Sequence, residues 1–508
     1  MKKLILRGTR GIVLGLSLLF FLFLTVVSLV STTYFERGKY YLEKPEYCMD
    51  FLPAHLIFIA LVLTALLFMN RKQLFDKLSV KVLAAVVVIF VTAVSILWVR
   101  VSYAYPEADQ KAVSWMAYLM SQDNFLFFEP GKYMQVYPNQ LGLTAALEAL
   151  YRLTGGENWN VFRYLTAIAN GAVVYFLYKI TDTLFHSKET DCLVLLGSAG
   201  CIQIILYTTF LYGITLGLAF ALAAFYLLLV FLKKNQIFYA AAAGILIGIS
   251  VLVKNNYSIF LVAMVILLLY KTLEKKNLKP LIAAVILIVF TAALSAALTF
   301  FYEKRSGIEL GSGMPKALWI AMGMQEGERG EGWYNDFNFD TYLNTGCDEE
   351  ESEKIAQAAI AESLKTFGED PVYALNFYYK KTVSQWNEPT YEALWVNQFH
   401  MGEYSKIVMS IYDGKISVLL EYYMNLFQSL VFMAVVFALW RRRKNWSMEQ
   451  LFLILVILGG FLFHTLWEAK SQYIFPYFVC MLPCAAVGIS DALEALNGKW
   501  NLKRTEEQ

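Results

Sequence analysis

Apolar residues in this chain run in long, nearly unbroken stretches separated by short polar breaks. The pattern has neither the alternation of a half-buried strand nor the single stripe of a surface helix. The stretches fall near residues 11–31, 53–69, 81–99, 160–181, 191–211, 213–231, 237–253, 257–271, 279–301, 417–440, 449–466 and 472–490. They approach the 17–25 residues a helix needs to cross about 30 Å of hydrocarbon, and in lipid only a helix satisfies its backbone within one segment. The pattern therefore predicts an all-α membrane protein with about twelve transmembrane helices. The run Gln140 to Leu153 departs from it: the run is short, follows Pro138 and contains Glu148. It reads as a helix lying at or dipping into the membrane interface, with a true span as the competing reading.

Basic residues mark the breaks: Lys2, Lys3, Arg7 and Arg10; Arg71, Lys72 and Lys77; Lys233 and Lys234; Lys271, Lys275, Lys276 and Lys279; Arg441, Arg442, Arg443 and Lys444; and Lys499, Lys503 and Arg504. Short basic loops stay in the cytoplasm. Both termini are then expected in the cytoplasm of a multi-pass cell-membrane protein, with the loops 100–140 and 302–416 outside. The basic start before Gly11 to Val30 resembles a signal peptide, but no small-residue cleavage site follows, and it reads as an uncleaved first span. The expected organisation is a transmembrane region 1–301 with an outer loop at 100–140, an extracytoplasmic segment 302–416, and closing helices with a tail at 417–508.

The late outer segment opens with Gly311, Gly313 and Pro315 and is glycine-rich and aromatic from Gly323 to Trp333. It turns acidic from Asp348 to Glu353. Two helices should follow: Glu353 to Phe367, with Ile355, Ala358, Ala359 and Leu364 on one face, and a second opened by Pro371.

Composition supports the membrane reading. The 508 residues are 58% hydrophobic and 17% charged, against about 25% charged in soluble domains. So much apolar surface exceeds what one soluble core hides. A net charge of +2 gives no electrostatic case for nucleic acid. The charge is unevenly placed, because residues 302–416 hold 19 acids against 10 bases and the remainder 22 against 33. Cys192, Cys201, Cys480 and Cys484 lie in or beside apolar runs as packing residues, whereas Cys48 and Cys347 are candidates for pairing in outer loops. No Cys or His spacing suggests a metal site.

Candidate chemistry gathers at the expected outer edge. Tyr105-Pro106-Glu107-Ala108-Asp109-Gln110 sets two carboxylates just past a span, where a general base can meet a substrate with partial shielding. A solvated helix start explains the same residues. Phe125, Phe127, Phe128, Lys132, Tyr133 and Tyr137 follow, suited to a groove for a long-chain lipid and a sugar, or to interfacial anchoring. His464 to Tyr473 is a polar island between two spans, containing Glu468, Lys470 and Tyr473; it can bind an anionic head group or serve as an anchor. Lys254, in an outer turn, can neutralise a phosphate or simply snorkel.

These stretches resemble the GT-C superfamily of polytopic glycosyltransferases, and within it the bacterial relatives of protein O-mannosyltransferases. Pro106-Glu107-Ala108-Asp109 resembles the family's acidic loop. Tyr137-Pro138-Asn139-Gln140-Leu141-Gly142, leading to Leu150-Tyr151-Arg152-Leu153-Thr154-Gly155, is similar to its Tyr-Pro-Pro-Leu and Leu-Phe-Gly segments. Trp467-Glu468-Ala469-Lys470-Ser471-Gln472-Tyr473 is similar to a late Glu, short gap, Arg-Tyr pattern. The sequence departs from the family in having two extra spans before the acidic loop, Asn139 for the second Pro, and Gln472 for the Arg.

The resemblance implies a transferase that moves a sugar from a polyprenyl-phosphate donor to an extracytoplasmic hydroxyl, with inversion. Asp109 would be the general base and Glu107 a second acid. Lys132, Lys254 or Lys470 would stabilise the departing phosphate, and Tyr137, Glu468 and Tyr473 would line the site. The stretch Gly311 to Trp333, with Trp319, Glu326, Glu328 and Tyr334, would cover an acceptor that is a glycan, glycolipid or protein in the cell envelope. A single-sugar monophosphate donor demands no metal, and no cofactor is expected. The runner-up is a transporter or flippase of lipid-linked sugars, which would need polar residues at mid-span. A polymerase or ligase of preassembled chains would want more outer arginines than Arg305 and Arg329.

Overall fold

The computed structural model describes residues 2–35, 43–397 and 405–506. Among them, nine helices are long and apolar enough to cross a membrane: Lys2–Val30, Leu52–Arg71, Val80–Ser102, Trp159–Phe185, Ile214–Lys234, Asn255–Lys275, Lys279–Ser306, Lys415–Arg441 and Phe475–Gly498. A tenth is the pair Lys188–Gly200 and Ile202–Thr209, bent by 51°, and two apolar helices are shorter, Ile237–Val253 and Phe452–Leu466. Every expected span coincides with one of these. By length and composition alone the count is nine or ten, because the two short helices fall below the length of a simple crossing. The only strands among the described residues are two short antiparallel hairpins, so the expected all-α class holds.

The bend after Gly200 frees backbone carbonyls inside the bundle, where water cannot reach them. Buried Asn170 answers, its Nδ2 donating to Ile204 O at 2.9 Å, Thr208 Oγ1 at 2.8 Å and Ser95 Oγ at 2.9 Å. Gln203 turns the other way and donates to Pro389 O at 2.8 Å.

The first two spans are joined through the strands Ser31–Phe35 and Pro45–Met49. This hairpin is pinned to the outer segment: Asn387 Nδ2 donates to Ser31 O at 2.7 Å, and Thr33 N to Asn387 O at 3.3 Å. Helix Lys2–Val30 packs along Lys415–Arg441, so the extra N-terminal pair stands beside the C-terminal helices. Cys48 and Cys347 are both free thiols here, and the pairing entertained from the sequence is not formed.

Residues 141–154 form a helix whose buried face contains Leu141, Leu143, Leu147, Glu148 and Tyr151. Glu148 sits in an ion network rather than in solvent: Arg305 Nη1 approaches it at 2.7 Å and Arg152 Nε at 2.9 Å. Both arginines also hold Asp123, at 2.8 Å for Arg152 and 2.5 Å for Arg305. This network ties helix Leu141–Thr154 to the end of helix Lys279–Ser306.

In the late polar segment, Asp348 Oδ1 caps helix Glu349–Glu369 by accepting from Glu351 N at 2.9 Å, with three acids in the favourable first turn. The inward face differs from the one expected. Ser352 and Ala356 are buried and Ala359 half-buried, whereas Ile355, Ala358 and Leu364 are exposed. The helix leans on Lys316–Gly323 along this line, which also half-buries Ile360. Pro371 opens the next helix, Pro371–Trp386, whose cap Asp370 accepts from Val372 N and Tyr373 N.

Candidate active site

Asp109 is the first residue of helix Asp109–Ser121 and follows Ala108, which holds the left-handed value φ 51° without being glycine. The side chain is exposed, but both carboxylate oxygens are held. Tyr133 Oη donates to Oδ1 at 3.0 Å and Tyr212 Oη to Oδ2 at 2.9 Å. Burial, together with the neighbouring charge of Asp109, keeps both phenols well above their ordinary pKa, so they remain protonated donors.

Tyr212 lies between the bent helix pair and helix Ile214–Lys234, and two contacts fix it. Leu211 N donates to Gln110 Oε1 at 2.8 Å, tying the segment to the helix of Asp109. Gly213 then turns at φ +75°, where an added Cβ would meet Val253 O at 2.8 Å. That close approach brings the next turn alongside. Lys254 Nζ lies 3.6 Å from the Tyr212 ring centroid and 5.6 Å from that of Tyr473. Lys254 is buried and has no carboxylate ion pair among the described residues. Burial lowers its ammonium to about 7, against the pull of Asp109 and with help from Lys470.

The late polar island completes the wall. Tyr473 Oη donates to Glu468 Oε2 at 3.1 Å, and burial raises the Glu468 carboxyl to about 7, with Lys470 opposing. Ser471 Oγ donates to Glu388 and Glu392, at 2.9 and 3.1 Å. Lys470 points into a carboxylate cluster: its Nζ is 3.0 Å from Glu43 Oε1, whose other oxygen accepts from Arg329 Nη1 at 2.9 Å. Burial works against the Lys470 charge, but Glu43, Glu392 and Glu468 together raise its pKa. On the other side, Tyr137 packs against Tyr133 at 4.8 Å and Trp319 at 6.1 Å, and Trp319 stacks on Trp467 at 5.6 Å.

Of the residues singled out in the sequence, Asp109, Tyr137, Lys254, Glu468, Lys470 and Tyr473 surround one place. Two do not join them. Glu107 faces Lys111, 3.7 Å away, and Lys132 is exposed because the short helix Tyr133–Val136 starts directly after it and directs Tyr133 inward. Within the proposed acceptor cover, Trp319 lines the site, whereas Trp333 is buried and donates through Nε1 to Ser384 at 2.9 Å. The sequence reading left Tyr212 and Glu43 unremarked and named Gln140 only within a longer segment; the signal for Tyr212 was a Tyr-Gly pair at a break between spans.

Beside Lys254 a narrow crevice with only about 10 Å³ of free volume runs past Ile214, Tyr257, Phe260, Pro476 and Tyr477, with Gln472 and Tyr473 at its polar end. A larger cavity, about 190 Å³, opens elsewhere, between the N-terminal hairpin and helix Lys415–Arg441, and has no member of the Asp109 group on its wall. No group of His, Cys, Asp and Glu with metal-binding geometry occurs among the described residues.

Residues 142–297 match the family model for dolichyl-phosphate-mannose-protein mannosyltransferases. No curated protein matches the chain. Among solved structures, the chain is similar to the archaeal oligosaccharyltransferase AglB from Archaeoglobus fulgidus in complex with an inhibitory peptide and a dolichol-phosphate. The identity is 15% and the TM-score 0.44, over 83% of this chain and 52% of that one. The apo form of the Archaeoglobus fulgidus oligosaccharyltransferase gives 13% identity and the same TM-score and coverage. The chain thus spans about half the length of these structures. The family match includes Tyr212 and Lys254 and stops short of Asp109 and Glu468. It agrees with the resemblance to GT-C type glycosyltransferases over residues 142–297 of this polytopic membrane protein, which are similar to the protein-mannosyltransferase family.

Proposed function

We propose that the chain transfers a sugar from a polyprenyl-phosphate donor to an acceptor hydroxyl, with Asp109 as general base. The observation that carries this reading is the pairing of a held carboxylate with a buried cation across Tyr212. An Asp109 oxygen takes the proton of the acceptor hydroxyl as that oxygen attacks the anomeric carbon. The bond from that carbon to the phosphate oxygen breaks on the opposite face, inverting the centre. The phosphate leaves with the electron pair, and the Lys254 ammonium meets its charge in a site poor in water. The wall of Tyr133, Tyr137, Trp319 and Trp467 suits stacking on sugar rings. The family model supports a lipid-phosphate donor. Basic breaks between spans support an active site facing away from the cytoplasm.

A transporter of lipid-linked sugars would draw on the broken helix at Gly200. Its carbonyls are answered by Tyr423 Oη on Gly200 O at 2.7 Å and by Asn170 Nδ2 on Ile204 O at 2.9 Å, which favours a structural bend over a path. Purified protein in detergent, given radiolabelled polyprenyl-phosphate hexoses and acceptor glycans or peptides, should transfer label, and Asp109→Asn should abolish it. Undiminished transfer by that variant would remove Asp109 as the base.

A further inference from the structure

We propose that Tyr212 is a positioning residue for both halves of the reaction: its hydroxyl aims the Asp109 carboxylate, and its ring face carries the Lys254 ammonium. The proposal rests on the function read above and gives Tyr212, which lies between its two charged groups, a part of its own.

The hydrogen bonds around the phenol give it a direction. Gln140 Nε2 donates to Tyr212 Oη at 2.6 Å, so the phenol oxygen is already an acceptor and its single proton is left for Asp109 Oδ2 at 2.9 Å. Tyr133 holds the other carboxylate oxygen from a different element, so Asp109 cannot rotate without losing one of the two donors. On the ring, Lys254 stands 3.6 Å from the centroid. A buried ammonium without a carboxylate partner depends on such a face, because the ring quadrupole is a weak but fixed negative surface. Tyr212 itself is 6% exposed and is locked by Gln110 before it and by the left-handed Gly213 after it. One rigid side chain therefore sets the spacing between base and cation. An inverting transfer needs those two groups on opposite sides of one carbon atom, at a separation the substrate dictates.

Two substitutions separate the roles. Tyr212→Phe keeps the ring and removes the hydroxyl; Tyr212→Leu removes both. With a polyprenyl-phosphate hexose as donor, Tyr212→Phe should lower kcat by about tenfold to a hundredfold while leaving the donor KM within about twofold. Tyr212→Leu should in addition raise the donor KM by about tenfold. Thermal unfolding and size-exclusion profiles in detergent give the folded fraction of each variant.

Wild-type kinetics in Tyr212→Phe would overturn the hydroxyl role, and equal donor KM in the two variants would overturn the ring role. Losses that only follow the folded fraction would overturn both. Asp109→Asn, run in parallel, keeps the two readings apart: if it alone retains full transfer, the base assignment fails, while the donor KM of Tyr212→Leu still decides the ring role.

Discussion

Lys470 Nζ lies 3.0 Å from Glu43 Oε1, joining the hairpin between the first two spans to the polar island before the last helix. Arg329, from the outer segment, holds the other carboxylate oxygen at 2.9 Å. The side chains of Glu43 and Lys470 are only 4% and 18% exposed, so solvent screens the pair little. Removing one partner of such a pair leaves a buried charge exposed to desolvation without compensation. Glu43→Ala should therefore destabilise the protein by about 3 kcal/mol. Glu43→Gln combined with Lys470→Met should cost less than the two single changes added together. Denaturant unfolding in detergent measures the cycle, and strictly additive singles would show that the pair carries no coupling.

The same geometry ranks the lysines. Lys470 is engaged by carboxylates, while Lys254 has aromatic faces beside it and no carboxylate within ion-pair distance among the described residues. A charge-assisted hydrogen bond to a phosphate is worth about 1.5–3 kcal/mol. Lys254→Met should raise the donor KM by about tenfold or more, and Lys470→Met by clearly less once the folded fraction is corrected. Steady-state kinetics on both variants decide this, and the reverse order would move the phosphate to Lys470.

Much of this was legible in the chain, for physical reasons. Lipid forces apolar runs into helices, so each expected span lands on one, and acids or lysines placed beside spans stand out against hydrocarbon. Asp109, Lys254, Glu468 and Lys470 were visible in that way. Tyr212 was hidden because an aromatic residue at a span boundary reads as an ordinary interfacial anchor. Glu43 was hidden because its meaning depends on residues hundreds of positions away. Lys132 misled because the sequence showed its nearness to the aromatic cluster but not that the helix starting at Tyr133 would leave it outside. The shifted face of helix Glu349–Glu369 has a similar cause: two apolar lines share that stretch, and the one through Ala356 and Ile360 is the one that meets Lys316–Gly323.

The buried position of Lys254 carries a pH signature. Burial holds its ammonium near 7, and the charged form is the one that meets a phosphate. As the pH rises through about 7 the free enzyme loses that charge, so kcat/KM for the donor should fall on the alkaline side. Below that point the lysine is protonated and this limb is absent. Lys254→Arg should push the limb beyond the measurable range, because guanidinium stays charged, while lowering the plateau through its larger, planar head. A limb that stays in place in the Arg variant would assign it to another group.

Glu107 provides the contrast to Asp109. Its carboxylate faces Lys111 at 3.7 Å, with 35% of one side chain and 56% of the other exposed. Exposed pairs of this kind contribute about 0–1 kcal/mol. Glu107→Gln should leave unfolding unchanged and transfer within about threefold of the parent, the scale of a small change in local field. Loss of transfer comparable to that of Asp109→Asn would make Glu107 part of the reacting machinery.

Gly213 tests whether the spacing of the site is set by the backbone beneath it. The residue sits at φ +75°, and a Cβ there would stand 2.8 Å from Val253 O and Val253 Cγ1. Tyr212 precedes it, and Lys254 follows Val253, so this one contact fixes how closely the two turns approach. Alanine brings two penalties: a left-handed conformation it adopts poorly, and a carbon where a carbonyl oxygen already lies. Together these should destabilise the protein by about 1–3 kcal/mol. If the fold yields by separating the turns, Lys254 moves off the Tyr212 ring and the donor KM rises. Gly213→Ala should therefore lose transfer beyond its loss of folded protein, with the deficit in donor KM resembling that of Tyr212→Leu. A variant that is less stable but kinetically unchanged per folded molecule would show that the two turns hold their spacing by other contacts.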